Sequence, residues 1–229
     1  MNAATTRAVA QLASVDPILR RLIDRIGPCR LKIDRRREPW ETLVRAVASQ
    51  QLHTRAAANI IGRVAMLVPG QAFPQPRDLV EFDANVLRGC GLSAAKTAAV
   101  HDIARRALDG FVPARRAALA LSNEELIARL VQIRGIGRWT VEMLLIFNLG
   151  RPDVLPVDDF GVREGWRVTA GLATQPRPRE LAAIGERWAP YRSTAAWYLW
   201  RSRDPAPPAA SAAPRVARRG ARSTRTATG

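Results

Sequence analysis

The sequence predicts an all-α protein, and three of its features lead there. Apolar residues recur at helical spacing through most of the chain, the strict alternation of half-buried strands is almost absent, and capping signals bracket the periodic stretches. Taken in order, Pro17 suits a first helical position, where its missing N–H costs nothing, and opens a helix near 17–26. In PWETLVRAVASQQL at 39–52, Trp40, Leu43, Val44, Val47 and Gln51 fall at i, i+3, i+4, i+7 and i+11, a single helical stripe. Similar periodicity predicts helices over 54–68, 77–87 and 93–108. Ser122-Asn-Glu-Glu125 ahead of LIARLVQI is a capping box, the serine oxygen serving the amide three residues on while Glu125 reaches back. Helices over 140–149, 160–169, 179–188 and 191–200 complete a set of about ten.

With 229 residues, 47% of them hydrophobic, the chain suffices for one large domain or two small lobes sharing a core. Segments rich in proline and glycine, such as VPGQAFPQP at 68–76, are short connections and not interdomain linkers. The end differs. Residues 205–229 carry no large apolar side chain beyond Val216, bury too little surface to fold, and are expected to be a disordered basic tail, which leaves 1–204 as the folded domain. No run approaches the roughly 18 apolar residues needed to cross a bilayer. MNAATTRAVAQLASVD has no charged region followed by an apolar one, so the reading is a cytoplasmic protein without a membrane partner, monomeric by default. Cys29 and Cys90 are too few for a disulfide framework or a four-thiolate metal or iron–sulfur site and read as ordinary, partly buried thiols.

The formal charge of +16 points to an acidic polymer as partner, because a phosphate backbone releases counterions to each cation that replaces them, while membrane surfaces and acidic proteins also fit the charge. The tail holds five arginines and no acid, so residues 1–204 keep +11 and the folded part is basic by itself. Lysine occurs only at Lys32 and Lys96, leaving 34 of the 36 cations as arginine, and none follows Lys96.

Two stretches repeat a form: RGCGLSAAKTAAV at 88–100 and RGIGRWTVEMLL at 134–145 both run Arg-Gly-x-Gly into a helix. In the second, glycine lets the backbone take φ > 0 between two helices, and the next helix start presents free amides. Gly135, Gly137, Arg138 and the Thr140 hydroxyl then form a seat for a nucleic-acid phosphate. The same turn also fits a glycine C-cap in a tight αα-corner. Downstream, PDVLPVDDFGVREGW places Asp158 and Asp159 just before a helix. One can cap it while the other projects from the first turn and stabilises positive charge or orients a water; two caps and nothing more is the alternative.

LVQIRGIGRWTVEMLLIF followed by Pro-Val-Asp-Asp-Phe resembles the helix-hairpin-helix (HhH-GPD) DNA glycosylase superfamily, and within it the 3-methyladenine DNA glycosylase II branch in its short yeast-like form. The likeness runs from Pro39 to Trp200, through VASQQLHTRAAANI, GLSAAKTAAV, LSNEELIARL and PYRSTAAWYLW. The 38 residues before Pro39 leave no room for the extra N-terminal α/β domain of many bacterial members. The resemblance implies two helical lobes with a cleft between them, a partner in double-stranded DNA containing alkylated bases, no cofactor, and Asp159 as the catalytic carboxylate with Asp158 more a cap. It implies phosphate contacts at Gly135 and Gly137, and carbonyls of Val131, Ile133 and Gly135 placed to hold a monovalent cation. The loop QQLH would enter the duplex, which nominates Gln51 and His53 for DNA contact. Trp139, Trp200 and Trp40 become pocket rings, with Met143 standing where other members carry an aromatic, while Trp166 and Trp197 are left to the core.

A base inside stacked DNA is out of reach, so such an enzyme must extrude the nucleotide and prop the gap. A purine alkylated at N3 or N7 is cationic, so its bond to the sugar is already weak and its face attracts electron-rich rings. Members of the superfamily that also cut the strand use a lysine where this chain has Trp139, so the resemblance implies a monofunctional enzyme that uses water and leaves an abasic site. Competing readings are a noncatalytic helix-hairpin-helix DNA-binding module, in which the aspartates only cap, and a glycosylase for oxidised or mismatched bases.

Overall fold

The computed structural model describes residues 3–205; the predicted basic tail beyond Pro205 lies outside the described residues. Those residues are helical and contain no strand. In chain order the helices are α1 (Ala3–Val15), α2 (Pro17–Ile26), α3 (Pro39–Ser49), α4 (Thr54–Ala65), α5 (Pro76–Glu81), α6 (Ala84–Gly89), α7 (Ala94–Leu108), α8 (Arg115–Ala120), α9 (Asn123–Leu130), α10 (Arg138–Met143), α11 (Phe160–Ala170), α12 (Pro178–Gly185) and α13 (Arg192–Leu199). A π-helical turn, Leu144–Leu149, continues α10, and a 3₁₀ turn, Glu186–Trp188, follows α12.

What each helix buries sorts them into two lobes. Helices α3–α10 enclose one core around Leu43, Val47, Leu79, Val100, Leu130 and Leu145. Helices α1, α2 and α11–α13 enclose another around Leu12, Leu19, Val162, Trp188 and Tyr198, with Trp166 and Trp197 inside it as the sequence suggested. The chain therefore starts and ends in one lobe and builds the other from its middle. Leu31 and Trp200 pack against both cores, which puts Trp200 at the lobe boundary. Asp16 locks the end lobe: fully buried, it caps α2 through the amides of Ile18 (2.9 Å) and Leu19 (3.1 Å) and accepts from Trp188 Nε1 (2.8 Å).

Several elements depart from prediction. The stretch 77–87 is two helices, because Phe82 is extended and Asp83 caps a new start through the Asn85 amide. The stripe from Trp40 does not reach Gln51: α3 ends at Ser49, Gln50 is extended, and Gln51 sits at φ +57. Helix α1 was invisible because it buries little besides Ala8 and Leu12. Helix α8 has no side-chain cap and is held by tertiary bonds, Arg115 donating to the carbonyls of Asn148 (2.9 Å) and Asp34 (3.1 Å).

The internal repeat is structural but shifted by two residues from its sequence form. Gly91 (φ +98) and Gly135 (φ +76) take the left-handed turn, Leu92 and Ile136 are the buried residues after them, Ser93 and Gly137 are N-caps, and a helix follows each. Gly91-Leu92-Ser93 thus matches Gly135-Ile136-Gly137, because conformation follows the glycine that bears positive φ and not the Arg-Gly pair.

Candidate active site

The hairpin is built from its two helix ends. Helix α9 starts on the predicted capping box, Glu125 N donating to Ser122 Oγ (3.2 Å) and Ser122 N to Glu125 Oε2 (2.7 Å). After Val131 the chain turns over buried Ile133 and Ile136, leaving Gly135, Gly137 and Arg138 exposed at the start of α10. A Cβ on Gly135 would stand 3.3 Å from Ala99 Cβ, so glycine serves both the turn and the close approach to α7.

One predicted phosphate ligand is corrected. Thr140 is 5% exposed and its side chain faces the interior, because it lies on the side of α10 that meets α3 and lines the cleft described below. Arg138 is bound by two carboxylates, Glu124 Oε1 (3.0 Å) and Glu142 Oε1 (3.0 Å), since Glu142 follows it by one helical turn. Burial raises the Glu142 pKa from 4.5 to about 6, with Asp158 and Glu124 adding to the rise and Arg138 opposing it. The Gly135 carbonyl accepts from Gln50 Nε2 (2.9 Å).

Asp159 is the N-cap of α11, a role expected of Asp158, which is exposed instead. Asp159 Oδ1 accepts from Val162 N (2.8 Å) and Trp200 Nε1 (2.9 Å), and Oδ2 from Trp139 Nε1 (2.7 Å). A carboxylate has about four acceptor positions, so three fixed donors set its orientation and leave one open on Oδ2. The capping carboxylate is thus also the one that projects to the lobe boundary. Gly161 permits this: a Cβ there would lie 3.0 Å from Trp200 Cδ1 and 3.1 Å from Asp159 Oδ1.

A cleft of about 390 Å³ adjoins this group, lined by Ala46, Ser49, Gln50, Gln51, Trp139, Thr140 and Met143. Trp139 is 48% exposed at its mouth. Phe147 packs against Trp200 in a tilted arrangement with ring centroids 5.5 Å apart. Sequence reasoning passed over Phe147, although Trp139, Met143 and Phe147 are spaced by four and share a helix face. Trp40 is not part of the cleft: its stripe faces the core, where it packs on Phe73 at 6.2 Å. Gln51, Leu52 and His53 form an exposed loop at the rim, and His53 heads α4 with no side-chain cap bond.

Comparison with known proteins gives a consistent result. The profile of the "HhH-GPD superfamily base excision DNA repair protein" family matches residues 44–190. The chain is 43% identical over 198 residues to DNA-3-methyladenine glycosylase 1 of Schizosaccharomyces pombe, covering 86% of this chain and 87% of that one. Among solved structures it is similar to the S. pombe 3-methyladenine DNA glycosylase in complex with abasic DNA (TM-score 0.76, 44% identity, 85% and 95% of the two chains). It is also similar to a DNA-3-methyladenine glycosidase of Bacillus halodurans (TM-score 0.78, 31% identity, 86% and 89%).

Proposed function

This chain belongs to the HhH-GPD superfamily of base excision DNA repair proteins, and from that premise we propose that it is a monofunctional glycosylase releasing alkylated purines, 3-methyladenine and 7-methylguanine, from duplex DNA. It acts where the chromosome is, at the cytoplasmic nucleoid; among the described residues no helix is long and apolar enough to cross a membrane.

The observation that carries the reading is the carboxylate of Asp159, fixed between the indoles of Trp139 and Trp200 beside a cleft bounded by an exposed loop. The mechanism follows from charge. The hairpin amides at Gly135 and Gly137 hold a phosphate of the strand, and Gln51 and His53 meet the duplex where the nucleotide leaves the stack. The extruded purine, cationic through its alkyl group, lies against Met143 and against Trp139 and Trp200, whose electron-rich faces favour a cation. As the C1′–N bond breaks, its electron pair neutralises the departing base and positive charge moves to the sugar. Asp159 stabilises that charge electrostatically, in a setting that needs no reorganisation because three N–H donors already hold it. Water then forms the new C1′–O bond, oriented by the open position of Oδ2, and its proton goes to solvent. No amine is available to attack C1′ from α10, since Trp139 occupies the turn and no lysine follows Lys96.

The test is release of free base. Duplex DNA methylated at purines and incubated with the full chain should yield free 3-methyladenine and 7-methylguanine, separated by chromatography, and borohydride should trap no covalent complex. Binding to DNA with no release would leave only a binding module, and release confined to oxidised or mismatched bases would assign the substrate wrongly.

A further inference from the structure

Helix α7 touches both DNA-facing loops with one face. Lys96, Ala99 and Asp102 stand at i, i+3 and i+6 along it. Lys96 Nζ donates to the carbonyls of Ala48 (3.0 Å) and Gln50 (2.7 Å), at the end of α3 where helical carbonyls lack intrahelical partners. Ala99 packs under Gly135, and Asp102 Oδ2 accepts from the Arg134 amide (2.9 Å). Gln50 Nε2, donating to the Gly135 carbonyl, closes the circuit between the rim loop and the hairpin.

Three things make Lys96 the centre of this arrangement. It is one of two lysines in a chain of 34 arginines, and its compact ammonium serves two converging carbonyls. Partial burial pulls its pKa below the ordinary lysine value. Gln51, the next residue after the gripped carbonyl, has φ +57, a conformation that persists in a non-glycine residue only when neighbours over-determine it.

We propose that Lys96 is a positioning residue for opening the duplex: by holding the Ala48 and Gln50 carbonyls it keeps the Gln51 loop at a fixed offset from the Gly135 hairpin, so that strand grip and insertion act as one rigid body. A loop that must push into stacked bases works only if it does not yield, and here its support comes from the helix under the hairpin. The inference rests on the glycosylase reading and adds a residue to it that touches neither base nor sugar.

The experiment is single-turnover release of 7-methylguanine from a duplex by the full chain, with 2-aminopurine beside the lesion reporting unstacking. Lys96→Met keeps the apolar stem and removes the ammonium. Release should slow about ten- to a hundredfold, as for a displaced positioning group, and the fluorescence rise should slow with it. In a Gln51→Ala background the same change should cost less than about twofold, since there is no insertion left to support. Gln50→Leu cuts the tie to Gly135 from the other end and should show the same pattern, which keeps the test open if Lys96→Met does not fold by circular dichroism. Wild-type release and unstacking rates in Lys96→Met, or an undiminished penalty in the Gln51→Ala background, would overturn the inference alone. A wild-type chain that releases no base would remove the glycosylase reading beneath it.

Discussion

Asp159 both caps α11 and stands at the cleft, and two substitutions separate those roles. Asparagine caps a helix about as well as aspartate, so Asp159→Asn keeps an oxygen for Val162 N and Trp200 Nε1. Its amide then faces Trp139 Nε1, donor against donor, but Trp139 is half exposed and can bond to water instead. The stability cost is therefore at most about 1 kcal/mol. Asp159→Ala loses the cap, about 1 kcal/mol, and leaves the partly buried Trp200 N–H without an acceptor, about 1–3 kcal/mol. It should be less stable by about 2–4 kcal/mol. Catalytically the two should look alike, because both remove the charge that opposes the sugar cation. Loss of one preorganised electrostatic group costs about a hundred- to a thousandfold, some 2.7–4 kcal/mol of barrier. Urea unfolding gives the stabilities, and single-turnover release of 7-methylguanine gives the rates. Release by Asp159→Asn within about tenfold of wild type would refute the electrostatic assignment, whatever the unfolding curves show.

Further predictions follow from the same structure. Glu142 is buried, and its folded pKa lies at about 6 against an ordinary 4.5, so the native state binds more protons between those values and loses stability as pH rises through them. The step is about 2 kcal/mol; urea titrations from pH 4 to 7 should show it as a gain of Glu142→Gln over wild type with rising pH, and a flat difference would contradict it. Asp16→Ala removes a cap and strands the buried Trp188 N–H, so it should cost about 2–4 kcal/mol in denaturant while leaving turnover per folded molecule unchanged. Gly135→Ala forces a side chain to φ +76 against Ala99, a backbone cost of about 1–2 kcal/mol, and should weaken binding to undamaged duplex in a titration as well. Unaltered affinity would take the hairpin out of the DNA interface.

The elements that the sequence revealed are those whose signals close within a few residues. The Ser122–Glu125 box, the glycine at positive φ and the periodic stripes each rest on bonds or contacts inside one or two helical turns. Thr140 was misread, and the carboxylates around Arg138 went unseen, for the complementary reason. A cation and a hydroxyl beside a phosphate-like seat are ambiguous until the neighbours are known, and those proved to be Glu124, Glu142 and the interior face of α10. Trp40 was misassigned because one stripe serves a core and a cleft equally well on paper. The Asp158–Asp159 pair showed that one of them caps, but which one depends on where the indoles lie.

By itself, then, the sequence determined that the chain is helical, basic, furnished with a glycine hairpin and a downstream carboxylate, and without a lysine after Lys96. Those are properties of composition and of hydrogen bonds between near neighbours. Only the tertiary structure decided that Trp139 and Trp200, 20 and 41 residues from Asp159, meet on that one carboxylate, and that Lys96 supports the loop ending α3 from 46 residues away. Such meetings are set by how two lobes pack across a boundary that no local signal describes.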